Sequence, residues 1–276
     1  MAVQDVAAKT PGRSRGWCAA RRTQCAQSIM LPAPPHCPDP AIYSPLEMFA
    51  AGNAATWNSP DILLYPEPVF AGGNWGQAGE EQYLPNPTAS LSNNSDVVAI
   101  NAMADISCGL LGLGVGTPRV SLVKQVVTIP PGQGTVFLPL PVAAGLQAIQ
   151  ASRAPFNLFP GLISVYVDLS HPYDSDPGNN HGINNSIIFA GVHDSAFIPL
   201  YNFSNSSAAF NLAIVGPNTI GAALAATRMV VGSGSCDQAN LTFPTRPSGS
   251  HADITVFAKD DAGKPLGGFT LRLYFR

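Results

Sequence analysis

The end of the chain constrains the fold most tightly. Phe269, Leu271, Leu273 and Phe275 alternate with Thr270, Arg272, Tyr274 and Arg276. Period-two spacing puts the four large apolar side chains on one face of an extended strand and scatters them around a helix. The same alternation recurs upstream. Val98, Ile100, Ala102, Ala104 and Ile106 share one face of Val97–Ile106, and Val136, Leu138, Leu140 and Val142 share one face of Thr135–Val142. In Leu162–Ser170 the inner set is Ile163, Val165, Val167 and Leu169, with Ser164, Tyr166 and Asp168 opposite. Val120–Ile129, Phe210–Ile214 and Ala252–Ala258 add further strands. Turn-forming residues separate the runs at Asn93-Asn94-Ser95, Pro130-Pro131-Gly132 and Asp260-Asp261-Ala262-Gly263-Lys264. With 26 Gly and 26 Pro in 276 residues, helices have little room. Short ones are expected over Pro45–Ala51 and within Gly221–Val231. Two clusters of short strands predict an all-β chain of two tandem β-sandwiches, joined around Ala190–Ala196.

Residues 1–55 read as a largely irregular leader and linker, with regular packing expected from about Trp57. Five prolines fall within Leu31–Pro40, which favours extended backbone. The first 25 residues hold five basic groups against Asp5, but no uninterrupted apolar stretch follows them as a signal peptide needs. Charged residues are 11% of the chain and its net charge is −3, so the mildly acidic body beyond that leader lacks the clustered positive charge that nucleic-acid binding needs, and no nucleic-acid partner is expected. No apolar run is long enough for a membrane helix. The five cysteines are Cys18, Cys25, Cys37, Cys108 and Cys236. Cys18, Cys25 and Cys37 leave a local disulfide open, their spacing fits structural zinc poorly, and Cys108 and Cys236 read as small buried hydrophobes.

Three ordered segments carry a family resemblance: Trp57-Asn58-Ser59-Pro60-Asp61-Ile62, then Ile129-Pro130-Pro131-Gly132-Gln133, then His171-Pro172-Tyr173-Asp174-Ser175-Asp176-Pro177-Gly178-Asn179-Asn180 after a strand. Together they resemble the bacterial cell-adhesion-related (CARDB-like) immunoglobulin-like domains over about residues 56–190. The resemblance implies an immunoglobulin-like sandwich over 56–192, followed by a second, smaller one over 193–276. It also implies a non-catalytic extracellular or surface protein that acts as a binding unit or spacer. The glycine-rich stretch Gly109–Gly116 departs from the connecting loop of that family.

The densest polar constellation surrounds His171–Asn185. Asp168, Asp174 and Asp176 are candidate calcium ligands. The EF-hand pattern fails, however, because Gly178 and Asn185 stand where it needs an oxygen ligand and a bidentate Glu. Turn capping by Asp and Asn is the plainer reading. His171, His181 and His193 are the ligands a metal-dependent enzyme would use, at a spacing with no helix or strand logic. Gly232-Ser233-Gly234-Ser235-Cys236 lacks the setting of a nucleophile elbow. No catalytic residue and no cofactor are therefore expected. Binding is expected to fall to aromatic and amide side chains: Trp75, Tyr83, Asn179 and Asn180, with Tyr65 nearby and Trp57 more at home in a core. The expected partner is a protein or glycan surface, with substrate positioning for a carbohydrate-active enzyme as the alternative role. Sequons begin at Asn93, Asn184, Asn202, Asn205 and Asn240. A homo-oligomer is a further possibility: the strand Phe269–Phe275, if at an edge, would pair with a second copy.

Overall fold

The alternating segments are strands. The computed structural model describes residues 37–64, 86–153, 162–192, 194–216, 218, 220–247 and 249–275. Its first half forms β1 (Pro40–Ala41), β2 (Ile62–Leu63), β3 (Thr88–Asn93), β4 (Ala99–Leu110), β5 (Leu113–Val115), β6 (Val120–Ile129), β7 (Val136–Pro139), β8 (Ile163–Ser170) and β9 (His181–Asn184). In one sheet β3 is flanked by β7 on one side and by β1 and β2 in succession on the other. The facing sheet has the antiparallel order β6-β4-β8-β9. Ile163, Val165, Val167 and Leu169 are buried as their alternation predicts, in one core with Ala89, Leu91 and Leu138. Among the described residues strand pairing thus begins at Pro40, ahead of Trp57.

Two local departures have physical causes. In β4 the register shifts between Ala99 and Ala102, and Asn101 takes a positive φ of 59°. This bulge reverses the phase, so Ala99 is buried while Ile100, expected inside, is 55% exposed. After β7 the chain turns at Pro141 into a helix, Val142–Arg153, where the sequence reading set none. Val142 and Ile149 are buried, and Leu146 packs against the same core. That i, i+4, i+7 stripe was masked by the period-two run preceding it.

The second half forms β10 (Ser186–Val192), β11 (Ser195–Asn202), β12 (Ala208–Val215), β13 (Ala223–Leu224), β14 (Arg228–Val231), β15 (Ser235–Thr242), β16 (His251–Lys259) and β17 (Pro265–Phe275). One sheet runs β10-β17-β16-β12-β14, the other β13-β15-β11-β5. Both line a core of Phe210, Ile254, Val256, Phe269, Leu271, Leu273 and Phe275, with Ile198, Leu200 and Leu241 from the opposite sheet. Three expectations change here. The Gly221–Val231 helix is replaced by β13 and β14, because pairing with β15 and β12 and the burial of Ala222 and Val231 outweigh a weak Ala/Leu propensity. β17 lies between β10 and β16, so it offers a second copy no open edge. And β10, placed before the 192/193 boundary, pairs in parallel with β17, so the second sandwich takes up the chain from Ser186.

The two sandwiches repeat a local device. Asn93 ends β3 and Asn202 ends β11, and both are fully buried. Asn93 Oδ1 accepts from Ser95 N–H at 3.2 Å, and its Nδ2 donates to Val97 O at 2.8 Å and Ile129 O at 3.3 Å. Asn202 Oδ1 accepts from Ser204 N–H at 3.0 Å, and its Nδ2 donates to Ser206 O at 2.8 Å and Val231 O at 2.9 Å. In each sandwich the amide ties the end of one strand to the end of another, β6 or β14.

Candidate functional site

The glycine-rich stretch is the joint between the sandwiches. The connection from β4 to β6 leaves its own sandwich, and β5 pairs in parallel with β11 (Leu200↔Leu113, Asn202↔Val115). Leu111 and Leu113 enter the second core. Close approach demands glycine at Gly112, whose φ is +141° and where an added Cβ would lie 2.7 Å from Pro199 O. The exposed backbone of this crossing is met by Asn185, which joins β9 to β10. Asn185 Oδ1 accepts from Gly112 N–H at 3.0 Å and Ser164 Oγ–H at 2.6 Å. Its Nδ2 donates to Gly112 O and Gly268 O, both at 2.7 Å. All four hydrogen-bonding positions of the amide are filled, and they reach both sandwiches.

A strap from the first sandwich crosses the outer face of the second. Ser44 caps the helix Pro45–Ala50 through Glu47 N–H at 3.4 Å. Phe49 lies 4.1 Å from Phe257 between ring centroids, and Trp57 lies 5.6 Å from it. Trp57 N–H donates to Thr270 Oγ1 at 2.9 Å, and its carbonyl accepts from Asn185 N–H at 2.7 Å. Trp57 is therefore buried, as expected. So are Thr270 and Tyr274, although they occupy the face of β17 that alternation directs outward.

Where the strap ends, a cleft of about 540 Å³ opens over the outer face of β16 and β17. Thr56 and Asn58 line one side, and His251, Asp253, Arg272 and Tyr274 line the sheet. Register places Asp253 opposite Arg272 and His251 opposite Tyr274. Arg272 Nε–H donates to Asp253 Oδ1 at 2.9 Å and Nη2–H to Oδ2 at 3.0 Å, a planar fork that fixes both groups. The His251 ring stacks on Tyr274, with centroids 5.7 Å apart and planes at 25°. Donors, acceptors and an aromatic surface thus converge in a concavity of the size that holds small ligands.

The residues singled out from sequence lie elsewhere. Trp75, Tyr83, Tyr65 and His193 fall outside the described residues, as do Cys18 and Cys25. Asn179 and Asn180, expected on a binding face, are buried at 9% and 3% exposure. Asn179 Nδ2 donates to Asp39 Oδ1 at 2.9 Å, which clasps the β8–β9 loop to the segment before β1, while Asn180 Nδ2 donates to Asp174 Oδ2 and ties the loop to itself. Burial, with the charges of Asp174 and Asp176 adding to it, holds Asp39 above the usual carboxylate range.

The three calcium candidates have protein partners. Asp168 is paired with His181 at 2.8 Å and Arg119 at 3.4 Å. Asp174 accepts from Asp176 N–H at 2.9 Å and Asp176 from Gly178 N–H at 3.1 Å, which are turn caps. His171 accepts from Tyr173 N–H at Nδ1 (3.2 Å) and donates from Nε2 to Ile100 O (3.0 Å), using both ring nitrogens. His181 points its Nδ1 at Asp168, and that hydrogen bond raises its pKa. Among the described residues no three His, Cys, Asp or Glu side chains gather to hold a metal ion, and no helix is long and apolar enough to cross a membrane. Cys108 is buried, which pushes its thiol up to about 11, while Cys236 is half-buried.

No protein-family model matches the chain, and no curated protein matches it. Among solved structures it is similar to WR4, an MSP family member of C. elegans, with 12% identity over 33% of this chain and 92% of that one, at a TM-score of 0.26. It is also similar to the ASH/PapD-like domain 7 of human CEP192 (16% identity, 33% of this chain, 80% of that one, TM-score 0.25). A third is CBD12 from CALX1.2 (9% identity, 62% of this chain, 72% of that one, TM-score 0.21). The immunoglobulin-like topology stands on the strand order and registers of the chain itself.

Proposed function

We propose that the chain is a non-enzymatic binding module displayed outside the cell or on its surface, which holds a protein or glycan partner. The observation that carries this reading is the polar cleft where the strap of the first sandwich ends over β16 and β17 of the second, beside the buried contact of Trp57 with Thr270. A jointed pair of sandwiches with a free hinge would not keep such a concavity, whereas a clamped pair keeps its groups pre-organised and lowers the entropy cost of binding. The CARDB-like motif order supports the same reading. Its three segments lie in the first sandwich, at the strap, at the end of β6 and in the β8–β9 loop. The low charge density of the chain suits partner surfaces as well, since interface cores are depleted of charge.

The test immobilises the full chain and exposes it to solubilised envelope from its own organism and to an array of purified glycans. Saturable retention of one dominant protein or glycan, competed by the soluble chain, is the expected result. Retention of nothing, or of further copies of the chain alone, overturns the reading and leaves a self-assembling spacer in its place.

A further inference from the structure

We infer that the cleft over β16 and β17 takes a neutral sugar unit of a glycan. The inference rests on the reading of the chain as a binding module and assigns that module's site and ligand chemistry. Its first support is charge. Asp253 and Arg272 carry opposite charges, and each is already matched by the other through two hydrogen bonds. An anionic ligand placed there meets the Asp253 carboxylate, a cationic one meets the Arg272 guanidinium, and a purely apolar one buries both behind carbon. A ring bearing neighbouring hydroxyls suits the pair, because each hydroxyl both donates and accepts. One hydroxyl donates to Asp253 while the next accepts from Arg272.

The second support is the aromatic surface beside that pair. His251 is exposed and stacked on Tyr274, two residues along the strands from Asp253 and Arg272 and so on the same face. A pyranose has polar edges and an apolar C–H face, so an aromatic surface next to a fixed donor–acceptor pair matches both. The opposite wall adds the Thr56 hydroxyl and the Asn58 amide. Asn58 is held in place there, its Oδ1 accepting from Ser186 Oγ–H at 3.2 Å. The cleft's size lies within the range of about 300–1,000 Å³ that encloses small ligands, so it accommodates a short stretch of a glycan and leaves room for the chain to continue outward.

The experiment titrates the full chain with cellotetraose, maltotetraose, chitotetraose and mannotetraose, and with tetragalacturonate and a chitosan tetramer as charged counterparts, by calorimetry and by amide chemical shifts. Saturable binding of at least one neutral tetramer is expected, with shifts centred on His251, Asp253 and Arg272. A D253A/R272A double variant, which removes the pair without stranding one charge, is expected to weaken that binding tenfold or more, and His251→Ala severalfold. Both variants should melt within a few degrees of the parent. Binding of the charged tetramers alone, of none of the neutral ones, or equal affinity in the double variant overturns the inference. If the envelope fraction still yields a saturable partner in that case, the binding role stands and only this site and ligand fall.

Discussion

Asn185→Ala is expected to lower the unfolding free energy by about 3–5 kcal/mol and to split one calorimetric transition into two. The side chain satisfies Gly112 N–H, Gly112 O, Gly268 O and the Ser164 hydroxyl, and Asn185 is 4% exposed. Truncation strands Gly112 N–H, Gly112 O and Gly268 O with no room for bulk water, while the Ser164 hydroxyl turns to Leu110 O at 3.0 Å; each stranded buried group costs about 1–3 kcal/mol, short of full additivity. At ~2–4 °C per kcal/mol for chains near this size, the first transition falls by on the order of 10 °C. Asn185→Asp separates polarity from shape. Its carboxylate keeps the acceptor positions but turns an oxygen toward two carbonyls. The charged form is disfavoured in the folded state, so the carboxyl pKa there lies above its unfolded value. Stability relative to the parent is then lost as pH rises through that folded pKa and recovered on acidification. A single transition within about 2 °C of the parent for Asn185→Ala contradicts this account of the joint.

Gly268→Ala is expected to be nearly as damaging for a different reason. A Cβ on Gly268 would fall well inside 3.0 Å of three carbons of the Trp57 indole. The indole has no room to withdraw. It is 1% exposed, tilted against Phe257, and its backbone is bonded to Thr270 and Asn185. Overpacking a closed site costs about 1–3 kcal/mol and more where backbone must move, and here the strap must lift from the sheet. Expected results are a loss of about 3 kcal/mol in chemical denaturation and faster hydrogen exchange at Trp57 and Thr270. Trp57→Leu in the same background should recover part of the loss, because the smaller side chain vacates the space the methyl takes. Unchanged exchange in Gly268→Ala would mean that the strap does not bear on β17.

Much of the sandwich architecture was legible in alternation, because each long strand turns one apolar face into its sandwich core. Ile163 to Leu169 and Phe269 to Phe275 are the plainest examples, buried at every alternate position. What alternation cannot carry is an event that shifts phase or crosses between units. The bulge at Asn101 moved Ile100 outward. A second register shift between Ala258 and Lys259 sets Asp253 against Arg272, and counting back from the Asp260–Lys264 turn without it would put Asp253 against Leu271. The cleft was therefore present in the sequence as Arg272 and Tyr274 of the outward set, but their partners across the hairpin were not.

Asn179 and Asn180 show the opposite failure. A loop rich in Asp and Asn looks like a binding surface, yet those amides are turned inward to satisfy Asp39 and Asp174. The joint was the least legible part. Gly109–Gly116 stood out only as a departure from a loop, since parallel pairing of β5 with β11 depends on partners much later in the chain, Leu200 for Leu113 and Asn202 for Val115. Composition holds no trace of such a contact. The repeated Asn-x-Ser at Asn93 and Asn202 was visible, but read as sequons; burial shows both amides to be internal ties.

The contacts at Asn185, Trp57 and β5 clamp the two sandwiches into one rigid body. Residual dipolar couplings of the full chain in a weakly aligning medium test it most directly, with amides of β3, β4 and β8 representing the first sandwich and those of β11, β12 and β16 the second. Both sets are expected to fit a single alignment tensor, equal in magnitude and orientation. Two tensors of different magnitude would show the sandwiches reorienting independently, and would contradict both the clamp and the cleft it holds open.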